Sequence, residues 1–215
     1  MHTSSVSLIS KSLSFSSSSS LIPGSRVLRV GQEATFTPGY TLSKLPVSTK
    51  ELALIKEHTR KMGMTSFSEL VNDKATTVAV LDAMEQHNWV HLACHAHQNV
   101  GEATESGFLL HNGILDLAVI NRRSFKNKGL AFLSACETTA GDEKLPDEAV
   151  QLESGMLMAG YTSVIATTWS VNDADAPFVA GKVYERSMKD GKLGNGEAGK
   201  ALHKAVAELW GSATA

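Results

Sequence analysis

Trp89-Val-His-Leu-Ala-Cys-His95 is a compact, mostly apolar run, too short for a helix of ordinary length. Runs of this kind are typical of strands buried on both faces of a parallel sheet. Two more follow, Leu130-Ala-Phe-Leu-Ser-Ala-Cys136 and Ser163-Val-Ile-Ala-Thr-Thr-Trp169. Upstream, Arg26-Val-Leu-Arg-Val-Gly31 reads as a short strand closed by a glycine.

Helical patterns lie between these runs. Thr49 to Lys61 carries apolar residues at Leu52, Leu54 and Ile55, with Met62 just beyond it, and Ala75 to Gln86 carries Val78, Val80, Leu81 and Met84. Pro38, Gly39 and Pro46 mark loops. Gly107-Phe-Leu-Leu-His-Asn-Gly-Ile-Leu115 predicts a hairpin turning at Asn112-Gly113, because both residues tolerate positive φ. Pro146, Asp147 and Glu148 open a helix that Gly160 stops, with acid and glycine at the ends the dipole and cap geometry favour. Asn172 or Asp173 caps a further helix ending near Gly191. The last helix places Ala198, Ala201, Leu202, Ala205, Val206 and Leu209 on one stripe. Strand and helix alternate with short connections, which predicts an α/β fold: a mostly parallel sheet with helices on both faces.

Bulk composition narrows the function. The 215 residues are 42% hydrophobic and 20% charged with a net charge of -2, an ordinary globular balance that does not favour nucleic acid or anionic lipid. No apolar run reaches the roughly 18 residues of a membrane span. The two cysteines, Cys94 and Cys136, are too few for a disulfide framework; a single bridge is the alternative to free thiols in a reducing cytoplasm. The first 26 residues hold 12 serines and precede any acidic residue. An organelle transit peptide is one reading, but three cations near the start are few for it, and a flexible or partly ordered lead-in is expected.

Two strand candidates end in reactive side chains, His95 and Cys136. Ligands and chemistry collect at the carboxyl ends of strands in open α/β sheets. Neighbouring strands lie about 4.8 Å apart, so an imidazole and a thiol on one rim can form a nucleophile–base pair. A free thiol has its pKa near 8.5, and a nearby imidazole can raise the thiolate fraction and later protonate a leaving amine. Spacing alone leaves open a core cysteine beside a polar histidine. His91, His95 and His97 with Cys94 also suggest a metal site, but no second ligand pair follows downstream, so no metal is expected. Cys94 reads as a buried small apolar residue and His91 as a hydrogen-bonded structural histidine. Trp169 either walls a substrate pocket or covers core. Asp173 either caps its helix or recognises a basic substrate side chain, a task also open to Asp142 and Glu143.

His91-Leu-Ala-Cys-His95 followed by Leu133-Ser-Ala-Cys-Glu-Thr138 resembles the CHAT family, relatives of caspases and separases. The likeness continues through Asp147-Glu-Ala149, Gly155-Met-Leu-Met-Ala-Gly160, Val164-Ile-Ala-Thr-Thr-Trp169 and Asn172-Asp173. It reaches upstream to Leu28-Arg-Val-Gly31, the stretch from Leu45-Pro46 to Glu51 and, loosely, Val6 to Leu21. The text is most similar to fungal members, whose domains often follow helical repeat arrays. The resemblance implies a caspase–haemoglobinase-like fold over 27–215 behind a lead-in of 1–26. It also implies a cytoplasmic cysteine endopeptidase with a His95–Cys136 dyad, an oxyanion held by amides at Ala96 and Cys136, and Trp169 and Asp173 at the substrate. No cofactor is implied; the expected partners are a protein or peptide substrate and a helical-repeat (TPR-like) regulatory region. One departure is Ala96, where the family usually has glycine. Alanine keeps the N–H but resists positive φ, so a catalytically silent interaction module is the second reading.

Overall fold

The apolar runs are strands because each alternates two buried faces. The computed structural model describes residues 6–10, 26–33, 45–61, 67–99, 101–123, 125–134, 136–137, 149–167, 175–188 and 198–212. In chain order the elements are β1 (Val6–Ser10), β2 (Val27–Gly31), α1 (Pro46–Lys61), β3 (Phe67–Val71), α2 (Thr77–Gln86), β4 (Trp89–Ala93), β5 (His95–His97), β6 (Gly107–Leu110), β7 (Gly113–Asp116) and α3 (Leu117–Asn121). There follow β8 (Leu130–Leu133), β9 (Cys136–Glu137), α4 (Ala149–Met158), β10 (Ser163–Thr167), α5 (Asp175–Ser187) and α6 (Ala198–Ser212).

The main sheet has the order β1-β10-β8-β4-β2-β3. Its strands are parallel except β1, which runs antiparallel to β10 along one edge. Val6–Ser10, inside the serine-rich lead-in, is thus a strand of this sheet. On one face, Leu28, Val30, Val90, Leu92, Ala131, Leu133, Val164 and Ala166 pack with residues of α2, α3 and α4 in one apolar cluster. On the other, Val27, Trp89, Leu130, Phe132 and Ile165 pack with α1, α5 and α6. Helices therefore cover both faces, as buried parallel strands require. The stripe of α6 read from the sequence is the one that packs.

Local chemistry sets the element ends. Pro46 sits at the first position of α1, where a missing N–H costs nothing. Thr76 caps α2 by accepting from the Ala79 N–H at 3.2 Å, and Asp116 caps α3 by accepting from the Val119 N–H at 2.6 Å. Lys128 closes the other end of α2, its buried Nζ donating to the carbonyls of Met84, Glu85 and His87 at 2.6, 3.1 and 2.5 Å.

Several details depart from the sequence reading. The runs 89–95 and 130–136 are each two strands, broken at Cys94 and after Leu133, whose second parts join another sheet. The hairpin turns on His111-Asn112, and Gly113 is already paired with Leu110. Asn112 is committed elsewhere: its Oδ1 accepts from the Thr77 N–H at 2.8 Å, while Gly113 takes the positive φ of 152°. Val78 is exposed, because it lies roughly 110° around α2 from the centre of the Val80–Leu81–Met84 stripe at about 100° per residue. β3 and α3 are additional elements. Pro146, Asp147 and Glu148, the cap candidates Asn172 and Asp173, and Gly191 lie outside the described residues.

Two predictions follow from this packing. A Cβ at Gly107 would stand 2.4 Å from the Leu115 carbonyl oxygen and 2.6 Å from Asp116 Cα, backbone atoms that cannot swing aside. Gly107→Ala is expected to destabilise the protein by about 2–3 kcal/mol in equilibrium denaturation, an overpacking cost. His87 is buried, with Nδ1 2.6 Å from the Ala83 carbonyl and Nε2 2.9 Å from Ser68 Oγ. The carbonyl can only accept, so Nδ1 carries the proton and Nε2 accepts from Ser68. Burial chiefly, with Arg26 and Lys128 adding to it, holds this imidazole below its ordinary pKa of 6.5. Below that pH the unfolded chain binds the extra proton first. Stability should therefore fall as pH drops from 6.5 towards the lowered folded value. Denaturant midpoints from pH 7.5 to 5 should show that His87→Gln removes this part of the slope; an unchanged slope would refute the assignment.

Candidate active site

The site is built where two parallel neighbours leave the main sheet together. β4 and β8 pair in parallel through Val90↔Ala131, His91↔Phe132 and Leu92↔Leu133. Beyond the break, β5 and β9 pair in parallel again, through His95↔Cys136 and Ala96↔Glu137. Every pair in both ladders is separated by 41 residues, so the register passes the break without a slip. β5 and β9 belong to a second sheet of order β7-β6-β5-β9, in which β5 also pairs antiparallel with β6. His95 and Cys136, far apart along the chain, are thus direct partners across one strand spacing, about 4.8 Å.

Alternation assigns the neighbours. Cys94 and Ala96 belong to the same apolar cluster as Val90 and Leu92. His91, Ala93 and His95 are in the opposite phase of the strand, and Phe132, Ser134 and Cys136 are their counterparts on the partner. His95 is buried and His97 is half-buried. Ala96 pairs with Phe108 on one side and Glu137 on the other. Its φ is not positive: among the described residues other than glycine, only Asn72 and Asn127 have positive φ. The backbone therefore makes no left-handed demand that alanine would resist.

Beneath the strand ends lies a polar layer that the sequence reading did not pick out. Glu51, from α1, is buried with its Oε1 3.1 Å from His91 Nε2, at ion-pair distance but outside hydrogen-bonding geometry. Its Oε2 accepts from Ser134 Oγ at 2.9 Å. The His91 ring stacks on Phe132 with centroids 4.7 Å apart, and Tyr184 of α5 tilts against both. Tyr184 is held well above the ordinary phenol pKa by burial, with the charge of Glu51 adding to the shift. Arg29, the partner of His91 on β2, is also buried. Its Nη1 donates to the Leu52 carbonyl at 3.0 Å, Nη2 lies 2.8 Å from Glu69, and the guanidinium covers the Phe67 ring. Burial lowers the Arg29 pKa against the pull of Glu69.

Ser48, Glu51, Leu52, Ile55 and Thr59 form one buried stripe at helical spacing, with the acid at its edge, where in sequence it reads like a solvated residue. Trp169, Asp173, Asp142 and Glu143 lie outside the described residues. Cys94 is buried within the apolar cluster, as its small apolar character suggested.

Residues 2–214 match the family described as CHAT domain. No curated protein matches the chain. Among solved structures, the complex of Porphyromonas gingivalis RgpB pro- and mature domains is similar at 15% identity with a TM-score of 0.54, over 86% of this chain and 42% of that one. A structure of the Arg-specific cysteine proteinase gingipain R (RGPB) is similar at 17% identity with a TM-score of 0.48, over 74% of this chain and 35% of that one. The chain therefore spans less than half the length of either. The first of these likenesses shows the fold, which is of the caspase–haemoglobinase type: α/β, with a mostly parallel sheet and helices on both faces. With its two motif-bearing strand ends paired to each other and the family match running along nearly its whole length, the chain belongs to the CHAT domain family.

Proposed function

We propose that this chain is a cysteine endopeptidase domain that cleaves protein substrates through His95 and Cys136. The observation that carries the reading is the parallel pairing of these two residues across β5 and β9. Partners in a ladder share a face, which is what a nucleophile and its base require. Cys136 attacks the scissile carbonyl carbon as its thiol proton passes to His95. The C–N bond then breaks, the leaving amine takes that proton, and water attacking the thioester releases the acid and restores the thiol. Amides at Ala96 and Cys136 hold the oxyanion, and the extended backbone at Ala96 favours this over the silent-module reading. Substrate recognition is assigned to Trp169 and Asp173. The domain acts in the cytoplasm and is regulated by a helical-repeat region or partner. No cofactor takes part.

A peptide-based electrophile tests the reading. Wild-type protein should be labelled at Cys136, Cys136→Ala should not, and Cys94→Ala should label as wild type does. His95→Ala should slow labelling about 10²-fold or more, the usual weight of a positioned acid–base group. Labelling of Cys136 that ignores His95, or none at all, points to the silent interaction module.

A further inference from the structure

We infer that Glu51 is a positioning residue for the proposed dyad, its carboxylate clamping the two strands in phase where they leave the main sheet. The inference rests on the dyad reading for its functional meaning and on independent contacts for its geometry. Oε1 meets His91, four residues before His95; Oε2 accepts from Ser134 Oγ, two residues before Cys136. Ser134 is held a second time by its N–H, which donates to the Leu92 carbonyl at 2.9 Å. One side chain from α1 thus touches both strands at the last turn of the common ladder.

The need for such a clamp follows from the size of β9. Two residues at the edge of a four-stranded sheet make few ladder bonds, so the ladder by itself specifies the register weakly. A slip of one residue would move Ser134 by about 3.3 Å and turn its hydroxyl to the opposite face. Glu51 would then lose the bond from Ser134, and His95 would no longer stand opposite Cys136. Stability alone does not account for a buried carboxylate here. Burying charge is costly, and buried ionic groups can often be replaced by packed hydrocarbon without loss, whereas registry is the best-attested use of such groups.

The test measures proximity directly. In a Cys94→Ala background, His95→Cys places a second thiol opposite Cys136, within the Cα range that disulfides accept. Its effective concentration towards Cys136 is read from disulfide closure in glutathione buffers. Glu51→Gln and Ser134→Ala should each lower that value about tenfold or more, and Ser134→Thr, which restores the hydroxyl, should recover it. Ile55→Ala, a core truncation on the same helix, should lower Tm and leave the effective concentration unchanged. Unchanged closure in the Glu51 and Ser134 variants overturns the clamp, as does an equal loss in Ile55→Ala. If Glu51→Gln does not fold, the Ser134 pair decides. With His95 intact, Ser134→Ala should lower the maximal alkylation rate of Cys136 while leaving half-saturation by the electrophile unchanged. A wild-type Cys136 whose alkylation ignores His95 would sink the dyad reading, and the disulfide measurement would still judge the clamp.

Discussion

The parallel pairing of β4 with β8 is the constraint on which the rest of the structure depends. It sets a 41-residue offset that the two segments carry, unchanged, through a simultaneous break into a second sheet. Everything at the candidate site inherits that offset. His95 stands opposite Cys136 because His91 stands opposite Phe132, and the same alternation keeps Cys94 and Ala96 in the apolar interior. The main sheet supplies the rigidity, since its central strands are buried on both faces and flanked by neighbours on both edges. The small sheet receives its register from the large one. An excursion of three residues and one of two could not hold a geometry by themselves.

The two faces of the main sheet are not equivalent. On the face covered by α2, α3 and α4, the inward strand residues from β2 to β10 are apolar. The face covered by α1 and α5 carries Arg29, His91 and Tyr184 in its interior, with Glu51 reaching in from the helix. Buried polar groups cost free energy unless they are paired and well directed. Here they sit on the face whose strand phase leads to His95 and Cys136, and the costly chemistry is concentrated below the strand ends. Both faces pack hydrocarbon, and the second adds these buried polar groups to it.

Much of the fold was legible in one dimension. Fully buried strands read as short apolar runs, and the stripe of α6 could be counted directly, because burial on a regular element leaves a periodic trace. What escaped were places where periodicity and topology part company. The runs 89–95 and 130–136 look continuous, since alternation persists through a bend that moves the chain from one sheet to the next. Phe67–Val71 is a half-buried edge strand, with a weaker pattern than the central ones. Asn112-Gly113 carries a strong turn signal, yet Asn112 is committed to the start of α2 and the turn sits one residue earlier. Of the site, the histidine and the cysteine were readable from their motifs. Glu51 was not, because an acid within an amphipathic stripe resembles a solvated one until its partners are known.

The amino-acid order by itself determined which segments would be buried, their alternation, and the two reactive residues at strand ends, since these follow from side-chain chemistry along a regular backbone. That the two ends adjoin, in which register, and over which carboxylate, only the tertiary structure decided. Strand order and register are relations between segments distant along the chain, and they are selected by the packing of whole faces rather than by any one segment's own preference.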